Sequence, residues 1–151
     1  MDTRNYSAFF LSSVFVVSLC ASQFAYGDTV PCDLLTQNQV STIVGANVGA
    51  GSPIAKTGCS WKTTAAPNVV VSVSMQSEKM FAAVKASAPP NTTKTTISGV
   101  GDEAVFTGTQ GFSSLWVRKG STFVLFRIYG VPVSEAQTKL RSLATNALSK
   151  L

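Results

Sequence analysis

Histidine is absent from this chain of 151 residues, and charged side chains make up only 13% of it. The absence of His removes the commonest general base and the commonest metal ligand in proteins. The charged fraction is about half of the usual quarter, but the apolar fraction of 45% is ordinary, so the composition argues against intrinsic disorder. The length suits one domain built around one hydrophobic core.

The residue types that remain offer little for catalysis. A Ser-His-Asp triad cannot form without His, and no cluster of Cys and carboxylate residues has the spacing of metal ligands. Glu78 and Glu135 fall where a negative charge favours a helix N-terminus. Beyond residue 27 the carboxylates are Asp28, Asp33, Glu78, Asp102, Glu103 and Glu135. The sequence therefore predicts a protein that is not an enzyme and that uses no metal and no cofactor.

The first 27 residues are typical of a signal peptide. A basic end precedes the apolar run Ala8–Ala21, and the tripeptide at 25–27 (AYG) supplies the small side chains that a signal peptidase needs. We predict cleavage before Asp28 and export to the periplasm or the extracellular space. An uncleaved anchor is the alternative, although the run is short for a membrane span of about 20 residues. Lipid anchoring is less favoured, because Leu19 precedes Cys20 where a lipobox has a small residue.

Cleavage leaves two cysteines, Cys32 and Cys59, because Cys20 is removed with the signal peptide. An even pair in an oxidising compartment is most simply a disulfide. In the chain-entropy model, closing a loop of about 27 residues stabilises the fold by about 3 kcal/mol. The alternative is a reactive dithiol, but such pairs usually have the spacing C-x-x-C, which this pair lacks.

The positive charge of the chain is dispersed. The net charge is +5, and an anionic partner such as a nucleic acid, an acidic glycan or a membrane surface is one interpretation of this excess. The basic residues stand singly except at Arg118-Lys119, whereas a nucleic-acid binder concentrates them in a patch. We therefore predict a solvated basic surface, no nucleic-acid partner and no stable membrane insertion after signal cleavage.

Capping residues mark the starts of the predicted helices. Thr36 and Gln39 form a capping box for a helix over residues 37–44. Ser77 precedes a second helix that runs from residue 78 to about 87. Three of its side chains are expected to face the core: Met80, Phe81 and Val84.

A third helix is expected near the end of the sequence. Ser134 is its predicted cap, and Gln137 completes a second capping box. Its apolar stripe has helical spacing and is broad enough to cover a sheet. The stripe contains Leu140, Leu143, Ala144, Ala147, Leu148 and Leu151.

Strands are predicted between the helices. Residues 59–63 and 69–76 form two of them, and the second alternates apolar and polar side chains. The polar run at 91–96 is expected to be a connection that leads into a strand near Ile97, and a further strand begins at Ala104. We predict an α+β fold in which an antiparallel sheet of about five strands carries two or three packed helices.

The clearest hairpin joins residues 113–118 to residues 121–129 through a two-residue turn at 119–120. The register expected for this turn pairs Trp116 with Phe123. Both faces of the hairpin are apolar, so both need a covering layer or a partner. One face carries Leu115, Val117, Val124, Phe126 and Ile128. The other carries Trp116, Phe123, Leu125 and Tyr129 together with Arg118 and Arg127.

The second face of this hairpin is a candidate binding surface. If another layer covers it, its aromatic side chains belong to the core. If part of it stays open, Trp116, Phe123 and Tyr129 form a platform with Arg118 and Arg127 at its edge. Aromatic and Arg residues are the types enriched at interface hot spots.

The segment GVGDEA at 99–104 is the sharpest local pattern in the chain. Gly99 and Gly101 permit a positive φ or a close backbone approach, and Asp102 and Glu103 can accept backbone N–H groups in a turn. We interpret the segment as a structural turn. The same two carboxylates are the catalytic candidates if the protein is instead a cell-envelope hydrolase or accessory enzyme.

Three motifs, PCDLLT at 31–36, GCSW at 58–61 and GVGDEA at 99–104, occur in this order. Together they resemble the motifs of small secreted or lipid-anchored actinobacterial domains of unknown function, which are related to sensor-type extracellular domains. The resemblance implies an α+β sandwich with a disulfide between the first two motifs, and it implies no activity. We therefore expect an exported, non-catalytic domain that binds a protein, a peptide or a small apolar ligand.

Overall fold

In the computed structural model, residues 31–151 are described; the predicted signal peptide, its cleavage site and Cys20 lie outside them. Within this range the helices are α1 (Gln37–Val44), α2 (Glu78–Ala86) and α3 (Val133–Leu148), preceded by a 3₁₀ turn at Pro31–Asp33. The strands are β1 (Ser52–Ile54), β2 (Gly58–Lys62), β3 (Val70–Gln76), β4 (Thr93–Ile97), β5 (Glu103–Gly108), β6 (Phe112–Lys119) and β7 (Thr122–Tyr129). None of these helices is long and apolar enough to cross a membrane.

The strands form one antiparallel sheet in the order β1-β2-β3-β7-β6-β5-β4. The predicted α+β class is confirmed, but the sheet of the described chain has seven strands rather than about five. Most of β4 is an unexpected strand, because it occupies the polar run that is predicted to be a connection. Four of its five side chains are exposed, because it is an edge strand, so no hydrophobic alternation marks it.

One face of the sheet, which we call the inner face, packs against α1 and α3. The apolar stripe predicted for the last helix is confirmed: its members from Leu140 to Leu148 are buried, and Leu151 packs against the same core. The strand side chains in the same buried cluster include Trp61, Val71, Val73, Phe106, Leu115, Val117, Val124, Phe126 and Ile128.

The capping box predicted for α1 is confirmed. The backbone N–H of Gln39 donates to Thr36 Oγ1 at 3.2 Å, and the backbone N–H of Thr36 donates to Gln39 Oε1 at 2.8 Å. The box predicted for α3 is wrong, because that helix begins at Val133 and has no side-chain cap. Pro132 is the N-cap instead: its carbonyl oxygen accepts the backbone N–H groups of Glu135 and Ala136, both at 3.0 Å, so the helix starts before Ser134 is reached.

The β6–β7 hairpin is confirmed, but its predicted register is wrong by two residues. Trp116 pairs with Leu125 rather than with Phe123, and Gly120 has φ 59°. Gly120 is therefore the first central residue of the turn, the position that glycine takes in a type II′ turn. A shift of two residues leaves every side chain on its predicted face, because the side-chain period of a strand is two.

Helix α2 packs on the other face of the sheet, which we call the outer face. Phe81 contacts Trp116 and Leu125 there, and Val84 packs against the same small cluster. The prediction that Met80 faces the core is wrong, because this residue is 50% exposed. A helix lying on a nearly flat surface buries only a narrow stripe, and Phe81 and Val84, three residues apart, define that stripe.

The disulfide between Cys32 and Cys59 is confirmed and ties the 3₁₀ turn to β2. On the same side of the molecule, Lys150 Nζ donates to the carbonyl oxygen of Asp33 at 2.7 Å. Asp33 and Lys150 therefore lie beside each other, on the side of α1 and α3 and opposite to the face that carries α2.

Candidate functional site

Helix α2 divides the aromatic face that the sequence predicts. The ring of Trp116 lies beneath the helix and is only 8% exposed. Phe123 lies to one side, where its ring centroid is 5.5 Å from that of Phe81 on α2. Tyr129 and Arg127 lie towards the other end of β7, and neither belongs to the buried cluster beneath α2. The predicted face is therefore two separate surfaces, one on each side of the helix.

Phe112 completes the surface around Arg127, although it is not among the residues predicted for this face. Its ring centroid is 5.5 Å from that of Tyr129, and Arg127 Cζ lies 5.7 Å from the Phe112 centroid. Phe112 is 37% exposed and is the first residue of β6, one position before the predicted start of that strand. The alternation that places Trp116 on the outer face also places Phe112 there, and that signal could have revealed it.

A cavity of about 190 Å³ lies between α2 and the outer face on this side; we call it the Arg127 cavity. It is bounded by side chains from α2, from the segment before β4 and from three strands. Its apolar walls are Val84, Pro89, Phe112 and Trp116. Its hydroxyl-bearing walls are Thr92, Thr107, Thr109 and Ser114. Arg127 is the charged residue of the lining.

Two polar atoms of the Arg127 cavity are buried without a hydrogen-bond partner among residues 31–151. They are Arg127 Nε and Thr92 Oγ1. The third such atom in this part of the chain, Ser113 Oγ, does not line the cavity. Buried polar groups in folded proteins nearly always have partners, so two unpaired ones on residues that line the same cavity represent hydrogen-bonding capacity that residues 31–151 do not use.

A second cavity lies on the opposite side of α2 and has a different character; we call it the Arg118 cavity. Its volume is about 440 Å³, and Arg118, Glu103 and Lys85 contribute to its lining. Glu78 also lines it, so two positive side chains face two negative ones: Arg118 Nε lies 3.6 Å from Glu103 Oε2, and Lys85 Nζ forms an ion pair with Glu103 Oε1. The Arg118 cavity therefore presents little unbalanced charge to a ligand.

The turn predicted at 99–104 adopts positive φ values at both glycines, 75° at Gly99 and 60° at Gly101. Asp102 Oδ2 accepts a hydrogen bond from the backbone N–H of Gly120 at 2.6 Å and lies 3.6 Å from Arg118 Nη1. This carboxylate links the turn before β5 to the β6–β7 turn. Its observed contacts thus serve the packing of two neighbouring turns.

Glu103 is held in its ionised form. The hydrogen bond from Lys85 lowers the pKa of the Glu103 carboxyl, the charges of Lys85 and Arg118 lower it further, and partial desolvation opposes them. An efficient general acid or base at neutral pH needs a pKa close to the working pH, and lowering moves Glu103 away from it. The ion pairs support a structural role for this carboxylate.

The described part of the chain contains neither a cluster of metal-ligating side chains nor a free thiol. Residues 31–151 contain no group of three or more His, Cys, Asp or Glu side chains placed to hold a metal ion. Cys32 and Cys59 are bonded to each other, so neither is a free thiol.

Comparison with known proteins assigns no family to this fold. The chain matches no protein-family model, and it has no significant match among the curated proteins or among the solved structures.

Proposed function

We propose that the protein is an exported, non-catalytic domain that binds a small apolar ligand in the Arg127 cavity. The observation that carries this proposal is a largely apolar cavity that contains two buried polar atoms without partners, Arg127 Nε and Thr92 Oγ1. Small-molecule sites have this composition: apolar walls supply affinity, and a few polar groups fix the orientation of the ligand.

The volume of the cavity limits the size of the ligand. At about 190 Å³ it is smaller than the pockets of roughly 300–1,000 Å³ that hold drug-sized molecules. An engineered cavity of about 150 Å³ lined by apolar side chains binds benzene. The proposed ligand is therefore about one ring in size, and a folded peptide segment is too large for the cavity.

The contacts of Asp102 and Glu103 favour binding over catalysis. Both carboxylates are engaged by basic side chains, and Asp102 also accepts a backbone N–H group. The alternative, a cell-envelope hydrolase that uses this turn, has in its favour only that Glu103 lines the Arg118 cavity. Export rests on the predicted signal peptide and fits the disulfide, because disulfides persist in oxidising compartments.

Nuclear magnetic resonance tests the proposal, because each Trp side chain gives its own indole N–H signal. Benzyl alcohol and benzoate are titrated separately into the ¹⁵N-labelled, disulfide-bonded protein. We expect at least one of them to shift the Trp116 indole signal saturably, while the signal of Trp61, buried in the inner core, stays in place. The absence of a saturable Trp116 shift with both compounds, up to about 10 mM, would contradict the proposal.

A pair of variants on α2 locates the binding event. Val84→Phe fills the cavity from the helix and should abolish the Trp116 response. Met80→Phe places the same side chain on the exposed side of the same helix and should leave the response unchanged. Signal dispersion in the amide spectrum shows that each variant is folded. Equal responses in the two variants would place the binding elsewhere and overturn the assignment to this cavity.

A further inference from the structure

The geometry points to a chemical class for the ligand: we propose that the Arg127 cavity selects a small carboxylate, with one negatively charged carboxyl group on a body the size of a single ring. This inference rests on the proposed function and adds the charge of the ligand to it. Three features of the outer face carry it: the unbalanced charge of Arg127, the way its guanidinium is held, and the apolar walls beyond it.

The charge of Arg127 has no counter-charge within the described chain. Arg127 takes part in none of the ion pairs among residues 31–151, which join Lys85 and Arg118 to Asp102 and Glu103. No carboxylate lines the Arg127 cavity. A ligand that enters it meets one positive charge in a site partly shielded from solvent, where an anionic group is favoured over a neutral one.

The guanidinium of Arg127 is placed by an aromatic neighbour. It lies over the ring of Phe112, which is itself in contact with Tyr129. A cation–π contact of this kind engages the charge of the guanidinium without using its N–H donors. The buried Nε has no partner among residues 31–151, so the guanidinium as a whole has unused donor capacity. Two parallel N–H groups match the two oxygens of a carboxylate better than any monodentate anion.

The rest of the cavity suits an apolar body rather than a free inorganic anion. Val84, Pro89 and Trp116 form walls that a phosphate or sulfate ion would leave without useful contacts. An engineered apolar cavity somewhat smaller than this one binds benzene. The hydroxyl of Thr92, which is buried and unpaired, can bond to a carboxylate oxygen or to a small polar substituent on the body.

Benzoate and benzamide provide the test, because they have almost the same shape and differ in charge. Each is titrated at constant ionic strength into the ¹⁵N-labelled, disulfide-bonded protein, and the Trp116 indole and Arg127 Nε–H signals are followed. We expect benzoate to bind about 10–100-fold more tightly than benzamide, as for a hydrogen bond to a charged group. We also expect benzoate alone to move the Arg127 Nε–H signal downfield.

Two charge-matched variants separate a specific contact from a general effect of net charge. Arg127→Gln should reduce the affinity for benzoate much more than the affinity for benzamide, so that the difference between the two ligands nearly disappears. Arg141→Gln removes the same charge from α3, where Arg141 Nη2 donates to the carbonyl oxygen of Ser98, and should change neither affinity. If Arg127→Gln does not fold, Arg127→Lys keeps the charge without the fork and should bind benzoate less tightly than the wild type.

Each outcome bears on one of the two proposals. If benzoate and benzamide bind equally well, or if Arg127→Gln binds benzoate as the wild type does, the carboxylate inference is wrong and the apolar site remains. If inorganic phosphate displaces benzoate at equal concentration, the apolar walls contribute no selectivity, and the inference is also wrong. If neither benzoate, benzamide nor benzyl alcohol moves the Trp116 signal, the proposed function fails as well.

Discussion

Gly101 occupies a backbone position that other residues cannot adopt without strain. Its φ is 60°, and a Cβ atom there would lie 2.5 Å from the carbonyl oxygen of Arg118 and 2.7 Å from Val117 Cγ1. We expect Gly101→Ala to lower the free energy of unfolding by about 2–5 kcal/mol, measured by urea denaturation. Gly111→Ala is the control, because a Cβ at Gly111 meets no atom within 4 Å. Similar losses for the two variants would contradict this account.

Glu103 makes the stability of the fold depend on pH. Because Lys85 and Arg118 lower the pKa of its carboxyl in the folded state, its contribution is fully present above the pKa of the unfolded chain. That contribution is lost as the pH falls through the lower, folded-state pKa. We expect Glu103→Gln to reduce the melting temperature at neutral pH and the difference from the wild type to vanish in acid. In a Lys85→Gln background the neutral-pH difference should shrink, and an undiminished one would exclude this ion pair as the cause.

Local patterns predicted the residue-scale features that depend only on sequence neighbours. The capping box at Thr36 and the positive φ at Gly101 are confirmed, because each is determined within a few residues. The predictions that Ser134 caps α3 and that Met80 faces the core are wrong for different reasons. Pro132 competes with Ser134 for the helix start, and the narrow stripe along which α2 meets the sheet decides which of its side chains are covered.

At the scale of elements, α2 is the cover of the outer face, and Phe81 is its main contact. We expect Phe81→Ala to lower the free energy of unfolding by about 3–5 kcal/mol and to increase the quenching of Trp fluorescence by acrylamide, since Trp116 loses its cover. Met80→Ala, one position earlier and exposed, should change neither quantity appreciably. Unchanged quenching in Phe81→Ala would show that α2 does not shield Trp116.

The β6–β7 hairpin and the Arg127 cavity show what a pattern of residues can and cannot predict at this scale. The faces of the hairpin follow from alternation, but alternation is identical for registers that differ by two residues, so it could not select between them. The cavity brings together Val84, Thr92 and Phe112, which belong to three separate segments. Their meeting depends on β4 pairing at the edge of the sheet, and β4 has too few buried side chains to be recognised in advance.

At the scale of the whole molecule, the disulfide joins the start of the described chain to the sheet. Its cysteines are 27 positions apart, and we expect the double variant Cys32→Ala/Cys59→Ala to lose about 3 kcal/mol of unfolding free energy. Reduction of the wild type should produce a similar loss, whereas the double variant should not respond to reductant. A melting curve of the wild type that reductant leaves unchanged would argue against a stabilising role for the bridge.

The contact between Lys150 and Asp33 marks a side of the molecule at which a linker can be attached. Both residues lie on the side of α1 and α3, whereas Arg127 and its cavity lie behind the sheet on the side of α2. A linker attached to the side chain of either residue would therefore approach the molecule from the side away from the cavity. Immobilisation of the domain through Asp33 or Lys150 and binding of a ligand in the Arg127 cavity would therefore take place on opposite sides of the sheet.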